Sequence, residues 1–313
     1  MVGKRRINCM LAVVDARFQG LSGHCARCLH SEGDTMNAAA PALRAPAGAC
    51  DTHMHFFDDK VPSAPGAPSL PGHFTVPMYE ALQRRLGLAR VVVVQPNAYR
   101  HDHRVLVESL RALGAKAKGV AAVAPDVSDA EIDRLTRAGI VGQRIFNLPN
   151  GAVGFDRMDA VMARVHPFGW YANIQLDGRE LPRYEAQILR LPGKFVIDHV
   201  GKFLEPVTTD DASFKTLLRL MDTGRCWVKL AGVYEFSKVG APKYDDVGRL
   251  AKALVAHAPE RILWASNWPH SGVQAAQRPD DGDLLDLLLD WAPDDATRAK
   301  ILVDNPAGFY GFA

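Results

Sequence analysis

The strongest constraint on this chain is a regular alternation of short apolar runs with amphipathic stretches. Arg90–Gln95 contains Val91, Val92, Val93 and Val94 in succession, the composition of a strand buried on both faces in a parallel sheet. Comparable runs at Ala49–Phe57, Lys118–Ala124, Val141–Leu148, Tyr171–Leu176, Phe195–Val200, Cys226–Leu230 and Ile262–Ser266 bring the series to eight strands. Helical periodicity follows each of them, at Met78–Leu86, Val105–Leu113, Ala130–Ala138, Met158–Val165, Tyr184–Leu191, Ser213–Met221, Val247–Ala256 and Leu284–Trp291. Eight strands alternating with eight helices predict an α/β fold, a (β/α)8 TIM barrel. A doubly wound open sheet is the competitor, but no glycine-rich fingerprint follows the first strand. There is no solenoid-type repeat.

The first residues differ from the rest. Met1–Asp34 holds five of the 37 basic residues, three of the 35 acidic residues and three of the five cysteines, Cys9, Cys25 and Cys28. Without that stretch the chain is neutral, which argues against a partner that needs a basic face, such as nucleic acid. A hydrophobic content of 48% excludes disorder throughout. No apolar run reaches the roughly 18–20 residues of a membrane span. The cysteines are too few for a disulfide scaffold, which points to the cytoplasm. Cys9–Val14 is short for a secretory signal and Asp15 ends it. His24, Cys25, Cys28 and His30 look like half a zinc site, without a second pair at finger spacing. The expectation is a disordered leader over 1–47, with Met36 as an alternative start and an Ala/Pro-rich lead-in from there. One barrel domain over 48–313 follows.

Polar residues gather at the strand ends, where TIM barrels carry their active sites. His53 and His55, in Asp51-Thr52-His53-Met54-His55, stand at i and i+2 on one face of the first strand. Two imidazoles there can bind a metal, polarise a carbonyl or shuttle a proton. His199 ends the sixth strand and is expected to share their site. Arg144, at the end of the fourth, cannot shed its charge and needs an anionic partner: Asp198, Asp177 or a substrate. Lys202, Lys229 and His270 add positive potential, so the mouth favours a small anionic ligand.

Four motifs carry a resemblance. Asp51-Thr52-His53-Met54-His55, Asp198-His199-Val200-Gly201-Lys202, Ser266-Asn267-Trp268-Pro269-His270 and Asn305-Pro306-Ala307-Gly308-Phe309-Tyr310-Gly311 together resemble the amidohydrolase superfamily. The chain is most similar to the branch containing 2-pyrone-4,6-dicarboxylate lactonase and galactarolactone isomerase, over Ala49–Phe312. The resemblance implies a lactone-processing enzyme. Most of the superfamily holds one or two divalent metals, using the strand-one histidines, a Lys or Glu on strand four, histidines on strands five and six, and an aspartate ending strand eight. Here Arg144 or a neighbour stands on strand four, strand five has no histidine, and strand eight ends in Asn267.

That departure implies a metal-independent site in which His53, His55 and His199 donate hydrogen bonds to a lactone carbonyl. The alternative is zinc held by the same three histidines. In hydrolytic members of the branch, the strand-eight aspartate takes a proton from water; Asn267 cannot. A hydroxyl on the substrate needs less help, so the expectation is a sugar-acid lactone isomerase in which Asn267 orients that hydroxyl and a histidine passes the proton. The alternatives are a lactone hydrolase, with Asp198 or another carboxylate as base, and a non-catalytic barrel that binds an anionic metabolite. Substrate contacts are expected from Gln95, Asn97 and Tyr99 after strand two, Gln175 after strand five, Tyr234 after strand seven, and His270. The segment Gly232–Phe236 has no arginine, which suits a hydroxylated substrate with little charge.

Overall fold

A computed structural model describes residues 39–312. The expected leader up to residue 38, with Met36, Cys9 and the His24–His30 cluster, lies outside the described residues. The described residues form a (β/α)8 barrel, as expected. Its parallel strands are β1 (Cys50–Met54), β2 (Arg90–Val94), β3 (Ala117–Ala121), β4 (Ile140–Phe146), β5 (Tyr171–Gln175), β6 (Phe195–Ile197), β7 (Cys226–Leu230) and β8 (Ile262–Trp264), neighbours in that order. The helices between them are α1 (Val76–Leu86), α2 (Arg104–Leu113), α3 (Asp129–Arg137), α4 (Phe155–Val165), α5 (Leu181–Leu189), α6 (Ala212–Asp222), α7 (Asp245–His257) and α8 (Asp281–Trp291). Two short helices follow, α9 (Asp295–Ala299) and α10 (Asn305–Tyr310). No helix among the described residues is long and apolar enough to cross a membrane.

The period of two in the strands sorts side chains between two apolar layers. Val91 and Val93 of β2 pack outward against the helices, while Val92 and Val94 point into the lumen. Cys50, Val120, Tyr171, Val196 and Leu263 join them there, and Tyr310 and Phe312 close the base of the barrel. An irregularity in β1 between Asp51 and Met54 shifts the alternation. A bulge of this kind re-aims the side chains beyond it. Cys50 and His53, three apart, therefore both face the lumen, while Met54 packs outside.

The β8–β1 seam is closed by residues of the motifs. Thr52 Oγ1 donates to the Trp264 carbonyl (2.8 Å), Asn267 N to that of His53 (2.9 Å) and His55 N to that of Trp268 (2.8 Å). Buried Asp51 accepts from Ser266 N and Oγ, from Tyr79 OH and from His53 N. Burial nevertheless raises its pKa to about 6.

Several boundaries differ from expectation, among them β1 ending at Met54 rather than Phe57 and β3 at Ala121 rather than Ala124. The sixth strand ends at Ile197 because His199, Val200 and Lys202 adopt left-handed φ values of 55°, 56° and 46°. No strand continues through such a conformation, and β-branched Val200 is strained in it. The eighth strand stops at Trp264, ahead of Asn267 at φ 61°. The lead-in is ordered at its end: Ala42 N and Leu43 N donate to Asp286 of α8, and Leu43 is buried.

Candidate active site

The lumen floor beneath the mouth is a buried polar network. Lys229 of β7, with no exposed surface, donates from Nζ to Asn173 Oδ1 of β5 (2.6 Å) and lies 3.2 Å from Asp198 Oδ1. Asn173 Nδ2 donates to the other oxygen of Asp198 (2.7 Å). Burial alone pushes the Asp198 carboxyl upward, but Lys229 and His53 outweigh it and hold the pKa well below the usual range. Burial likewise lowers Lys229, opposed by Asp198. The result is an ion pair with no exposed side-chain surface.

The strand-one histidines stand directly against this network. His55 Nδ1 lies 2.8 Å from the Val94 carbonyl, which only accepts, so Nδ1 carries the proton. Burial, with His53 and Arg144 nearby, keeps the His55 pKa well below its ordinary value. The ring is therefore neutral and its Nε2 is a bare lone pair. His53 Nε2 lies 3.3 Å from it. His53 Nδ1 faces both Lys229 Nζ at 3.2 Å and Asp198 Oδ1 at 3.4 Å. Burial lowers the His53 pKa to about 4, against the pull of Asp198. Of the three histidines expected as donors, His55 turns its Nδ1–H to the Val94 carbonyl. His199 differs: its buried Nδ1 has no partner among the described residues, and it packs on Gly232, where an added Cβ would lie 2.9 Å from Nδ1.

Above the floor opens a cavity of about 240 Å³. His55, His199, Arg144, Gln175, Asn97 and Asn267 all line it, together with Lys202, Glu235 and the β1–α1 loop at Pro68–Pro71. His53 sits directly beneath. Arg144 Nη1 donates to the Gln95 carbonyl (2.6 Å), Nη2 lies 3.5 Å from Gln175 Oε1, and Nε has no partner among the described residues. Neither carboxylate considered for it pairs with it: Asp177 holds Arg179, and Asp198 holds Lys229. Burial lowers the Arg144 pKa to about 10, so the guanidinium stays charged at neutral pH.

Four expected contacts lie elsewhere. Gln95 spends its side-chain amide on the carbonyls of Arg100 and Asp102 and holds Arg144 through its backbone. Tyr234 and His270 stand behind Asn267: Asn267 Nδ2 donates to Tyr234 OH (2.8 Å), which meets His270 Nδ1 (2.8 Å), while His270 Nε2 faces Asp281 at 3.2 Å. Tyr99 OH bonds the backbone of Asp58. Sequence reasoning missed Glu235, which pairs with Lys202 and accepts from Asn267 Nδ2 at 3.0 Å. Its only signal was its place next to Tyr234, in a segment read for the arginines it lacks. Lys202 and Lys229 were expected to charge the mouth, yet each is matched by a carboxylate.

The family model for amidohydrolases matches residues 50–312. The chain belongs to the amidohydrolase family. This amidohydrolase is 38% identical to D-galactarolactone isomerase of Agrobacterium fabrum over 278 residues, 88% of this chain and 95% of that enzyme. It is 34% identical to a 2-pyrone-4,6-dicarboxylate hydrolase of Comamonas testosteroni, over 88% of this chain and 93% of the relative. A crystal structure from Agrobacterium tumefaciens in its apo form superposes with a TM-score of 0.84 at 37% identity, covering 88% of this chain and 98% of that one.

Whether an amidohydrolase of this kind suits a metal is a question for its donors. His53, Asp198 and His199 each offer a ligand atom, all within 4.8 Å of one another, so a candidate cation cluster exists. It fits a dication poorly. Its one carboxylate is engaged by Lys229 and Asn173, and the Lys229 ammonium lies 3.2 Å from both Asp198 Oδ1 and His53 Nδ1. Nothing anionic in the cluster is left to neutralise two positive charges.

Proposed function

We propose that this amidohydrolase is a metal-independent lactone isomerase acting on a carboxylated, hydroxyl-rich lactone of the sugar-acid type. Asn267 carries the reading. Both N–H bonds of its amide are spent, on Tyr234 and Glu235, so its Oδ1 is the atom left to meet a substrate. A carbonyl oxygen accepts from a hydroxyl and orients it but takes no proton from water. The hydroxyl then attacks the lactone carbonyl carbon, the original ring C–O bond breaks, and the ester passes from one oxygen of the molecule to another. Tethering gives such a nucleophile an effective molarity on the order of 10⁵ M or more, which bulk water cannot match.

The remaining groups fit the same chemistry. Arg144 presents a guanidinium edge without a carboxylate partner and suits a single substrate carboxylate in bidentate geometry. His199 and the Lys202 ammonium border the cavity where a carbonyl oxygen would gain charge. Gln175 and Asn97 offer amides to hydroxyl groups. With Lys202 and Lys229 both paired, the pocket matches one negative charge better than the two of a dicarboxylated pyrone. The similarity to D-galactarolactone isomerase supports the reading. An NMR time course with sugar-acid and pyrone lactones tests it. Exchange between ring forms ahead of free acid is expected, and rapid opening to the acid without ring exchange overturns it.

A further inference from the structure

Moving an ester between two hydroxyls requires a proton to leave one oxygen and reach the other, and Asn267 cannot carry it. Among the groups lining the cavity, His55 is a poor acceptor. Its Nε2 faces His53 Nε2 at 3.3 Å, its Nδ1–H is held by the Val94 carbonyl, and burial makes the imidazole a weak base. Asp198 is sealed beneath the floor with Lys229 and Asn173. Glu235 is different. Its carboxylate borders the cavity, accepts from Asn267 Nδ2 at 3.0 Å through Oε1 and pairs with Lys202 through Oε2. The loop after β8 closes over it at Gly272, where an added Cβ would lie 2.9 Å from Oε1. The carboxylate is thus fixed beside the amide that orients the nucleophile.

We propose that Glu235 is the catalytic proton carrier of this site, taking the proton of the attacking hydroxyl and returning it to the departing one. The inference rests on the isomerase reading. In the first half, the hydroxyl oxygen bonds to the carbonyl carbon, its proton passes to the Glu235 carboxylate, and the carbonyl becomes an oxyanion facing His199 and Lys202. In the second half, the oxyanion reforms the carbonyl, the old ring C–O bond breaks, and Glu235 gives its proton to the oxygen released. No proton is consumed overall, so one carboxylate serves both halves. The same carboxylate could serve a water, but the tethered hydroxyl competes at far higher effective concentration.

Glu235→Gln keeps the shape and the Asn267 contact while removing the proton site. The expected result is a fall in kcat of about 10²–10⁴-fold with KM moved by no more than about threefold. Binding of an unreactive open-chain sugar acid should be retained, which reports an intact pocket. In the double variant Glu235→Gln with Asn267→Asp, carboxylate and amide exchange places across one hydrogen bond, and turnover of the lactone by either route should return about tenfold over the single variant. A structural role would show no such rescue. Wild-type kcat in E235Q overturns the assignment, as does a double variant no faster than E235Q. If the wild-type protein exchanges no ring with any sugar-acid lactone, the isomerase reading itself fails, and the wild-type arm alone shows it.

Discussion

Asn267 donates from Nδ2 to Glu235 Oε1 across 3.0 Å, placing an amide against a carboxylate at the end of the eighth strand. Asn267→Asp converts this into two carboxylates at hydrogen-bond distance, which cannot both be charged without penalty and share a proton. The variant gains a group able to activate water and loses the neutral acceptor for the substrate hydroxyl. The ratio of hydrolysis to ring exchange should rise roughly tenfold or more, read from product ratios by NMR.

Arg144 is buried and, among the described residues, finds only neutral partners, the Gln95 carbonyl and Gln175. Arg144→Met should weaken binding of a carboxylated lactone by about 2–5 kcal/mol, seen as a rise in KM and in a calorimetric Kd. Arg144→Lys should recover only part of this, because an ammonium does not reproduce the planar fork. A variant binding as tightly as wild type would place the substrate carboxylate elsewhere.

Lys229 and Asp198 have no exposed side-chain surface and lie 3.2 Å apart. Lys229→Met alone leaves a buried carboxylate uncompensated and should cost about 3–5 kcal/mol in denaturant unfolding. Joining it with Asp198→Asn should restore much of that loss, because no net charge is left in the floor. Strict additivity of the two single costs would show that the residues are not coupled.

Acid should destabilise the fold through the histidines. Burial lowers His53 to about 4 and puts His55 and His199 well below their ordinary value, so all three are neutral in the folded protein. The unfolded chain takes up protons near pH 6.5 and the folded one does not, so stability is full above that pH and falls as pH drops toward 4. His53 alone accounts for about 3 kcal/mol across this window. Asp51, raised to about 6, runs the other way between roughly pH 4 and 6 and offsets part of the loss. Thermal midpoints between pH 7 and 4.5 should fall, and less so in His53→Gln.

Metal removal should leave activity intact. With Lys229 against both Asp198 and His53, treatment with a chelator followed by elemental analysis should give full turnover at well under one zinc per chain. Activity lost with the metal and restored by zinc would overturn the metal-independent reading.

The barrel was legible because its strands are short, apolar and evenly separated, and because Val91–Val94 admits little except a strand covered on both faces. His53, His55 and His199 were legible as a group because strand ends converge in a barrel. The spacing of His53 and His55 pointed to a shared face, and their Nε2 atoms do meet at 3.3 Å. Less legible were positions decided by a turn. Gln95, Tyr234 and His270 belong to strand-end segments, yet each side chain is spent on a neighbour before it reaches the cavity. Glu235 went unread because one residue along a loop decides which side chain faces inward.

The sequence by itself determined the fold, the family motifs and the chemical identity of the residue at the end of strand eight, since periodicity and residue type are local properties. Only the tertiary structure decided charge and proton placement. Lys229 is 176 positions from His53 in the chain and lies against it in the lumen, and Glu235 meets Lys202 from 33 positions away. Whether a cation is free or paired, and which nitrogen carries a hydrogen, depends on distances of a few ångströms between distant segments. Those distances left Arg144 open to a ligand and turned the His55 Nδ1–H to the Val94 carbonyl.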